Sequence, residues 1–196
     1  MYKFFFKRVI DLILAVIALP FWLIILAIIS PIIYFQDKGP IFYNATRLGK
    51  GGKVFKMYKF RSMKVNAPDI RNEDGSTFNA ENDSRLTKIG AIIRKTSIDE
   101  TPQILNVIKG DMSIIGPRPD LPEAINRYNA NEIKKLEVRP GITGYSQAYY
   151  RNSIEMIKKF KNDIFYVENL SFVLDVKIFF VTVSSILFKK NIFNKK

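Results

Sequence analysis

Asp99 and Glu100 stand side by side in the stretch TSIDETPQ, just after Arg94-Lys95 and just before Thr101-Pro102. Two adjacent carboxylates in a chain of net charge +13 need an explanation. One reading is local: Ser97-Ile98-Asp99-Glu100 matches the S-x-x-E capping box, and acids favour the positive end of a helix dipole. The other is chemical, with one carboxylate as nucleophile and the other as metal ligand. Pro102 bears on the choice. It has no N–H for a helical ladder and suits the first helical position. That makes Thr101 the better N-cap and leaves both acids outside the helix. A helix capped by Ser97 would instead carry Pro102 in its second turn, where the missing N–H is felt. The acids then border a helix start whose free N–H groups attract phosphate. Two like charges in contact also call for a counter-charge, and a divalent cation is a natural one.

Basic residues supply a second set of candidates. Lys59 and Arg61 in MYKFRSM share one face of an expected strand. Arg118 in GPRP and Arg139 in VRPGITG sit on rigid Pro/Gly mounts, and Arg151 follows in YYRNS. A guanidinium forks onto phosphate oxygens, although each of these read singly is equally a solvated surface charge.

The rest of the composition narrows the chemistry. The chain has no cysteine and no histidine. Disulfides, thiol and imidazole catalysis and the usual zinc ligands are therefore excluded. What remains is carboxylate, Lys, Arg, Tyr or Ser/Thr chemistry and a hard metal such as Mg²⁺. Lys and Arg number 31 against 18 Asp and Glu, which implies an anionic partner: nucleic acid, a phospholipid surface or a phosphorylated substrate.

The elements that must position these residues start with a membrane attachment. The run from Leu12 to Phe35 carries no charge and exceeds the about 20 residues that a spanning helix needs. It is too long for a signal peptide and lacks a small-residue cleavage site. Pro20 and Pro31 fall inside it, and the Ser30 hydroxyl is placed to satisfy a carbonyl freed at a Ser30-Pro31 bend. Lys3, Lys7 and Arg8 mark the preceding end as cytoplasmic. The residues alone allow either a plain span or a re-entrant hairpin that keeps both ends in the cytoplasm.

Beyond Gln36, GPIFYNATRLGKGGKVFKMYKFRSM reads as a β-hairpin turning at residues 49–52. Residues 66–84 are polar and form a surface loop. Helical spacing marks Leu86, Ile89, Ile92 and Ile93, then Ile104 to Ile108, with Gly110 in the C′ place. Pro122 opens a helix to about Asn131, VRPGITGY is a loop, and Ile157 to Val167 form a further helix. The apolar tail from Ser171 to Lys190 is too short to span. Flanked by Lys177 and Lys189-Lys190, it suits a helix lying in the membrane interface, with a buried core helix as the alternative. The expected fold class is α+β: mostly short helices with a small β-hairpin element, pressed on a membrane.

Taken together, KRVIDLILA, the Ser30-Pro31 pair, YKFRSM, TSIDETPQILNVIKGDMSIIGPRP, VRPGITG and FYVENLSFVLDVKI resemble the monotopic phosphoglycosyl transferases, also called bacterial sugar transferases. The resemblance covers nearly the whole chain, in order, and looks like the family's minimal form. It implies transfer of a sugar 1-phosphate from a UDP-sugar to polyprenyl phosphate with release of UMP, opening lipid-linked glycan assembly. It implies Asp99 as the attacking nucleophile through a covalent phosphosugar-enzyme intermediate, and Glu100 as the ligand of Mg²⁺. Lys59, Arg118, Arg151 and Asp163 match its substrate-binding positions, and Arg61 is a further candidate beside Lys59. It also implies three parts: a re-entrant helix over 1–36 bent at Ser30-Pro31, a catalytic domain over 37–170, and an interfacial helix with a basic tail over 171–196. The expected location is the cytoplasmic face of the bacterial inner membrane. Membrane lipids and downstream glycosyltransferases are the other expected partners. Relatives commonly read AQVNGRN where this chain has SQAYYRNS, so Ala148-Tyr149-Tyr150 alter the surroundings that bear on sugar preference.

The competing class is a non-catalytic basic module on the membrane surface that recruits acidic partners. Against nucleic acid, the basic residues are spread among turns and do not form one stripe with interleaved aromatics. A hydrolase of lipid diphosphates would use similar residues, with water as acceptor.

Overall fold

The structure, a computed structural model, describes residues 1–70, 78, 80, 83–150 and 155–188. A π-helical turn, Tyr2–Phe6, leads into α1, Lys7–Asp37. Helical hydrogen bonding continues through Pro20 and Pro31, and α1 ends where Lys38 turns left-handed and its N–H returns to the Tyr34 carbonyl at 2.7 Å. The break expected at Ser30-Pro31 thus leaves the helix uninterrupted, and the Ser30 hydroxyl, expected to serve a freed carbonyl, is buried without a hydrogen-bond partner. Tyr2–Asp37 is long and apolar enough to cross a membrane.

One stripe of α1 nonetheless belongs to the folded domain. Lys7, Asp11, Ala15, Trp22 and Ile33 are buried, at spacings that keep to one helical face. Ala15 and Trp22 pack with Ala45, Phe55, Met57, Ile104, Val107 and Met112, while Ile33 packs with Phe60 and Ile93. A buried side chain as large as Trp22 or Ile33 contributes about 1.5–3 kcal/mol, so both halves of the helix are held. The opposite face exposes Ile13, Ile17, Phe21, Ile24, Ile28 and Phe35. A helix apolar on both faces needs a second apolar environment besides the core.

The hairpin forms as its alternation dictates. Strands β1, Phe42–Leu48, and β2, Val54–Phe60, pair antiparallel from Phe42 opposite Phe60 to Leu48 opposite Val54. Next come α2, Lys88–Lys95, a 3₁₀ turn at Ile98–Glu100, α3, Gln103–Lys109, and the short strand β3, Ser113–Ile115. Thr87 caps α2, its hydroxyl accepting from Gly90 N–H at 2.9 Å. Gly110 ends α3 with φ 98°, the left-handed C′ position its sequence announces. Arg8 and Arg139 close the same helix end, donating to the Val107 and Gly110 carbonyls at 2.6 and 2.8 Å.

Two expectations change here. Pro122 opens a 3₁₀ turn that ends at Arg127, short of the helix expected to reach about Asn131, and a second 3₁₀ turn covers Glu132–Glu137. The VRPGITGY loop contains strand β4, Gly141–Thr143, paired parallel with β3. Backbone proximity explains why periodicity gave no warning: a Cβ at Gly141 would lie 2.1 Å from the Gly116 nitrogen, so the pairing needs glycine at both points. Helix α4, Tyr145–Tyr149, α5, Met156–Glu168, and α6, Phe172–Leu187, complete the fold.

Helix α6 is buried along one side and exposes apolar residues on the other. Ile178 packs with Tyr166 and Val167, whereas Phe172, Val173, Val176, Phe179, Phe180 and Val183 are exposed. The observed class is α+β, mainly helical, with two two-stranded sheets and one long apolar N-terminal helix among the described residues.

Candidate active site

The acid pair sits in the 3₁₀ turn between α2 and α3. Ser97 enters it in the left-handed region, φ 59°, an uncommon conformation for a residue with a Cβ. Its side chain makes no capping hydrogen bond, so the S-x-x-E match does not form a capping box. Thr101 does not cap either. Its hydroxyl donates to the Ile98 carbonyl at 2.8 Å, and Pro102 occupies the N-cap of α3. Both acids therefore lie outside the α-helix, as the proline requires.

Three segments converge on them. Lys59, from β2, donates to Glu100 Oε1 at 2.6 Å. Arg118, from the loop after β3, donates to the same oxygen at 3.2 Å. Arg94, at the end of α2, lies near enough to favour the charged form of Asp99, and its Nη1 is buried without a partner. Two acids thus face three cations, a balance that suits an anionic substrate.

The two carboxylates differ sharply. Asp99 is 7% exposed. Burial pushes its carboxyl up to about 6, against the opposing pull of Lys59 and with repulsion from Glu100 in support. Glu100 is also buried enough to resist ionisation, but Lys59 and Arg118 overcome that and hold it down at about 2. Environments that push paired carboxyls apart assign them different work. Asp99 is the more basic of the two carboxylates, while Glu100 is a fixed anion. Both cation contacts fall on Glu100 Oε1, leaving Oε2 available.

No group of three or more acidic side chains able to enclose a metal occurs among the described residues. Mg²⁺ does not need one, because it is commonly bound by one or two carboxylates plus substrate phosphates and water. Glu100 with its neighbour Asp99 fits that donor set.

The bacterial sugar transferase family matches residues 2–189. The chain belongs to the bacterial sugar transferase family. Among relatives, the uncharacterized sugar transferase EpsL of Bacillus subtilis is 42% identical over 95% of this chain and 89% of its own length. The galactosyl transferase CpsE of Streptococcus agalactiae is 40% identical over 92% of this chain and 42% of its own. A UDP-N-acetylgalactosamine-undecaprenyl-phosphate N-acetylgalactosaminephosphotransferase of Aeromonas hydrophila is 38% identical over 93% and 44%. The chain spans less than half the length of the latter two.

Within this sugar transferase, the remaining candidates fall apart in space. Lys59 and Arg118 join the acid pair. Arg61 does not: its guanidinium clasps Asp37 at the end of α1, with contacts of 2.5 and 3.1 Å. The two basic residues share a strand face, but Arg61 is one residue past β2, where α1 supplies a carboxylate first. Asp163 lies on α5 against Lys135, at 2.9 Å. Arg151 is outside the described residues. Arg139 is spent on the Gly110 carbonyl. Sequence reasoning missed Arg94 as a site residue. Its signal was there, five positions before Asp99 on a helix whose last turn must face the acids.

Proposed function

We propose that this enzyme moves a sugar 1-phosphate from a UDP-sugar to polyprenyl phosphate and releases UMP, with Asp99 as covalent nucleophile. The observation that carries the reading is the split acid pair: a buried, unusually basic Asp99 beside a Glu100 clamped by Lys59 and Arg118. An Asp99 carboxylate oxygen attacks the sugar-linked phosphorus. The bond from that phosphorus to the bridging diphosphate oxygen breaks, and UMP leaves with the electron pair. A polyprenyl phosphate oxygen then attacks the same phosphorus and Asp99 departs unchanged. Dividing one transfer into two lets a weak nucleophile serve. Lys59, Arg94 and Arg118 offset negative charge on the transferred group. When bound, Mg²⁺ held by Glu100 would neutralise charge on the diphosphate. The name of the Aeromonas relative, with a UDP-sugar donor and an undecaprenyl-phosphate acceptor, supports the same pair of substrates.

The proposal includes a monotopic topology, with α1 and the exposed face of α6 lying in one leaflet at the cytoplasmic face. Support comes from the grip of the domain on both ends of α1, through Lys7 to Asp175 at 2.8 Å and through Asp37 to Arg61. Such a placement brings Asp99 to headgroup level, where a polyprenyl phosphate presents its phosphate.

The test combines the purified enzyme in lipid nanodiscs with Mg²⁺ and a panel of UDP-sugars. Without polyprenyl phosphate, UMP release should stop at one per active site, and the peptide containing TSIDETPQ should gain one phosphosugar in mass. Continuous release without acceptor would make it a hydrolase. Since the chain lacks cysteine, Lys3→Cys and Lys50→Cys report topology directly. Both should resist a membrane-impermeant thiol reagent in intact cells, and labelling of one alone would establish a through-span.

A further inference from the structure

The loop that carries Arg118 is pinned on both flanks, and the second flank ends on a buried lysine. Ahead of Arg118, Gly116 N–H donates to the Thr143 carbonyl at 2.9 Å and Gly141 N–H donates to the Pro117 carbonyl at 3.0 Å. Behind it, Leu48 N–H donates to the Asp120 carbonyl at 2.9 Å. The Asp120 carboxylate accepts from Tyr128 Oη at 2.5 Å and from Lys135 Nζ at 2.7 Å. Lys135 comes from the 3₁₀ turn Glu132–Glu137 and is 5% exposed. Its ammonium also pairs with Asp163 at 2.9 Å and lies 4.9 Å from the centre of the Phe160 ring. Burial works against that charge, but Asp163 and Asp120 outweigh it and keep Lys135 protonated.

A buried ion cluster gives little net stability over a well-packed apolar one, so stability alone is a poor reason for it. Its place in the fold offers a better reason. Asp120 is two residues from Arg118, with Pro119 between them and Pro117 before. Two fixed φ angles make this a stiff lever, so the position of Asp120 is transmitted to the guanidinium. We propose that Lys135 is a positioning residue for the transfer reaction, acting through Asp120 to hold Arg118 against Glu100, with Asp163 as the counter-charge that fixes Lys135. The proposal rests on the sugar-phosphate transfer reading above. It gives Asp163 a role at a distance, through the chain Asp163, Lys135, Asp120, Arg118, Glu100.

A double-mutant cycle tests it. Lys135→Met, Arg118→Ala, the double variant and Lys135→Arg are compared for kcat/KM of UMP release and for Tm. A misplaced catalytic group costs up to about 100-fold, so Lys135→Met should lower kcat/KM by about 10-fold to 100-fold in the parental background. On the Arg118→Ala background the same change should cost less than about twofold, because residues acting through one another are not additive. Lys135→Arg should restore most of the loss. Should Lys135→Met not fold, Tyr128→Phe enters the same cycle as the milder variant, since it removes one hydrogen bond to Asp120 and keeps the ion pairs. Equal losses in both backgrounds, or a lower Tm with unchanged kcat/KM, overturn the assignment. Absence of UMP release by the parental enzyme overturns the transfer reading itself, and the Lys135 role with it.

Discussion

Two buried polar clusters in this chain are finished to different degrees. At the junction of α1, α6 and β3, every charge is answered. Asp175 accepts from Tyr2, Lys7 and Tyr166 at 2.6, 2.8 and 2.7 Å. Asp11 accepts from Ser113 Oγ at 2.7 Å and from Ile114 N–H at 3.1 Å. At the acid pair the satisfaction is partial. Asp99 is buried beside the like charge of Glu100, and Arg94 Nη1 is an orphan donor. A satisfied network specifies a unique arrangement, whereas an unsatisfied one costs stability and persists where a ligand completes it. The first cluster docks the membrane helix. The second keeps a buried donor unpaired.

The largest effect that would sharpen this contrast is at Asp99. Asp99→Asn should lower turnover by several orders of magnitude, the pattern for a group acting in the transition state. Its Tm should stay level or rise. The sign follows from the raised carboxyl: the fold favours the protonated form, so the charged form costs stability above about pH 6, and the cost fades as pH falls from there toward the ordinary 3.8. The Asn variant should therefore match or exceed the parental Tm at pH 8 and lose that advantage near pH 4. A variant that melts earlier yet turns over normally would place Asp99 among structural residues.

Metal removal ranks next. EDTA should abolish UMP release and Mg²⁺ should restore it, while Glu100→Gln should demand more Mg²⁺ for the same rate. Full activity of Glu100→Gln in EDTA would remove Glu100 from metal binding.

At the satisfied cluster the effect should move from rate to stability. Lys7→Met leaves Asp175 and Asp11 without their cation, and breaking such a buried pair costs about 3–5 kcal/mol. Denaturant unfolding in mild detergent measures it, and the folded fraction should keep its kcat. A loss of kcat at unchanged stability would erase the distinction between the clusters.

Smaller shifts should follow at Arg94 and with pH. Arg94→Gln removes the orphan donor and should raise KM for the UDP-sugar with little loss of Tm. With Arg94 intact, kcat/KM should decline as pH drops below about 6, where Asp99 takes up a proton. A flat profile between pH 5 and 8 would contradict Asp99 as the ionised nucleophile.

Much of the frame was readable in the residues. Alternation placed the hairpin, Gly110 bounded its helix, and Pro102 kept the acids outside α3. Strand β4 was hidden because a three-residue parallel pairing has no periodicity, and because what permits it is glycine facing glycine across the fold. Arg61 and Arg139 looked like phosphate ligands for the same reason as Arg118, and only their neighbours separate them.

By itself, the sequence determined the kind of chemistry. Without His or Cys, the work falls to carboxylates and cations, and an uncharged N-terminal run adjoins a strongly basic chain. These follow from composition and from rules that act within a few residues. Tertiary structure decided the assignments. Lys59 and Glu100 are 41 positions apart, and Lys7 and Asp175 are 168 apart. Whether a carboxylate ends clamped by a lysine, as Glu100 does, or buried with burial dominating, as Asp99 does, depends on which segments pack together. That packing makes Asp99 basic and Glu100 a fixed anion, because desolvation and charge fall off over ångströms in space and take no account of separation along the chain.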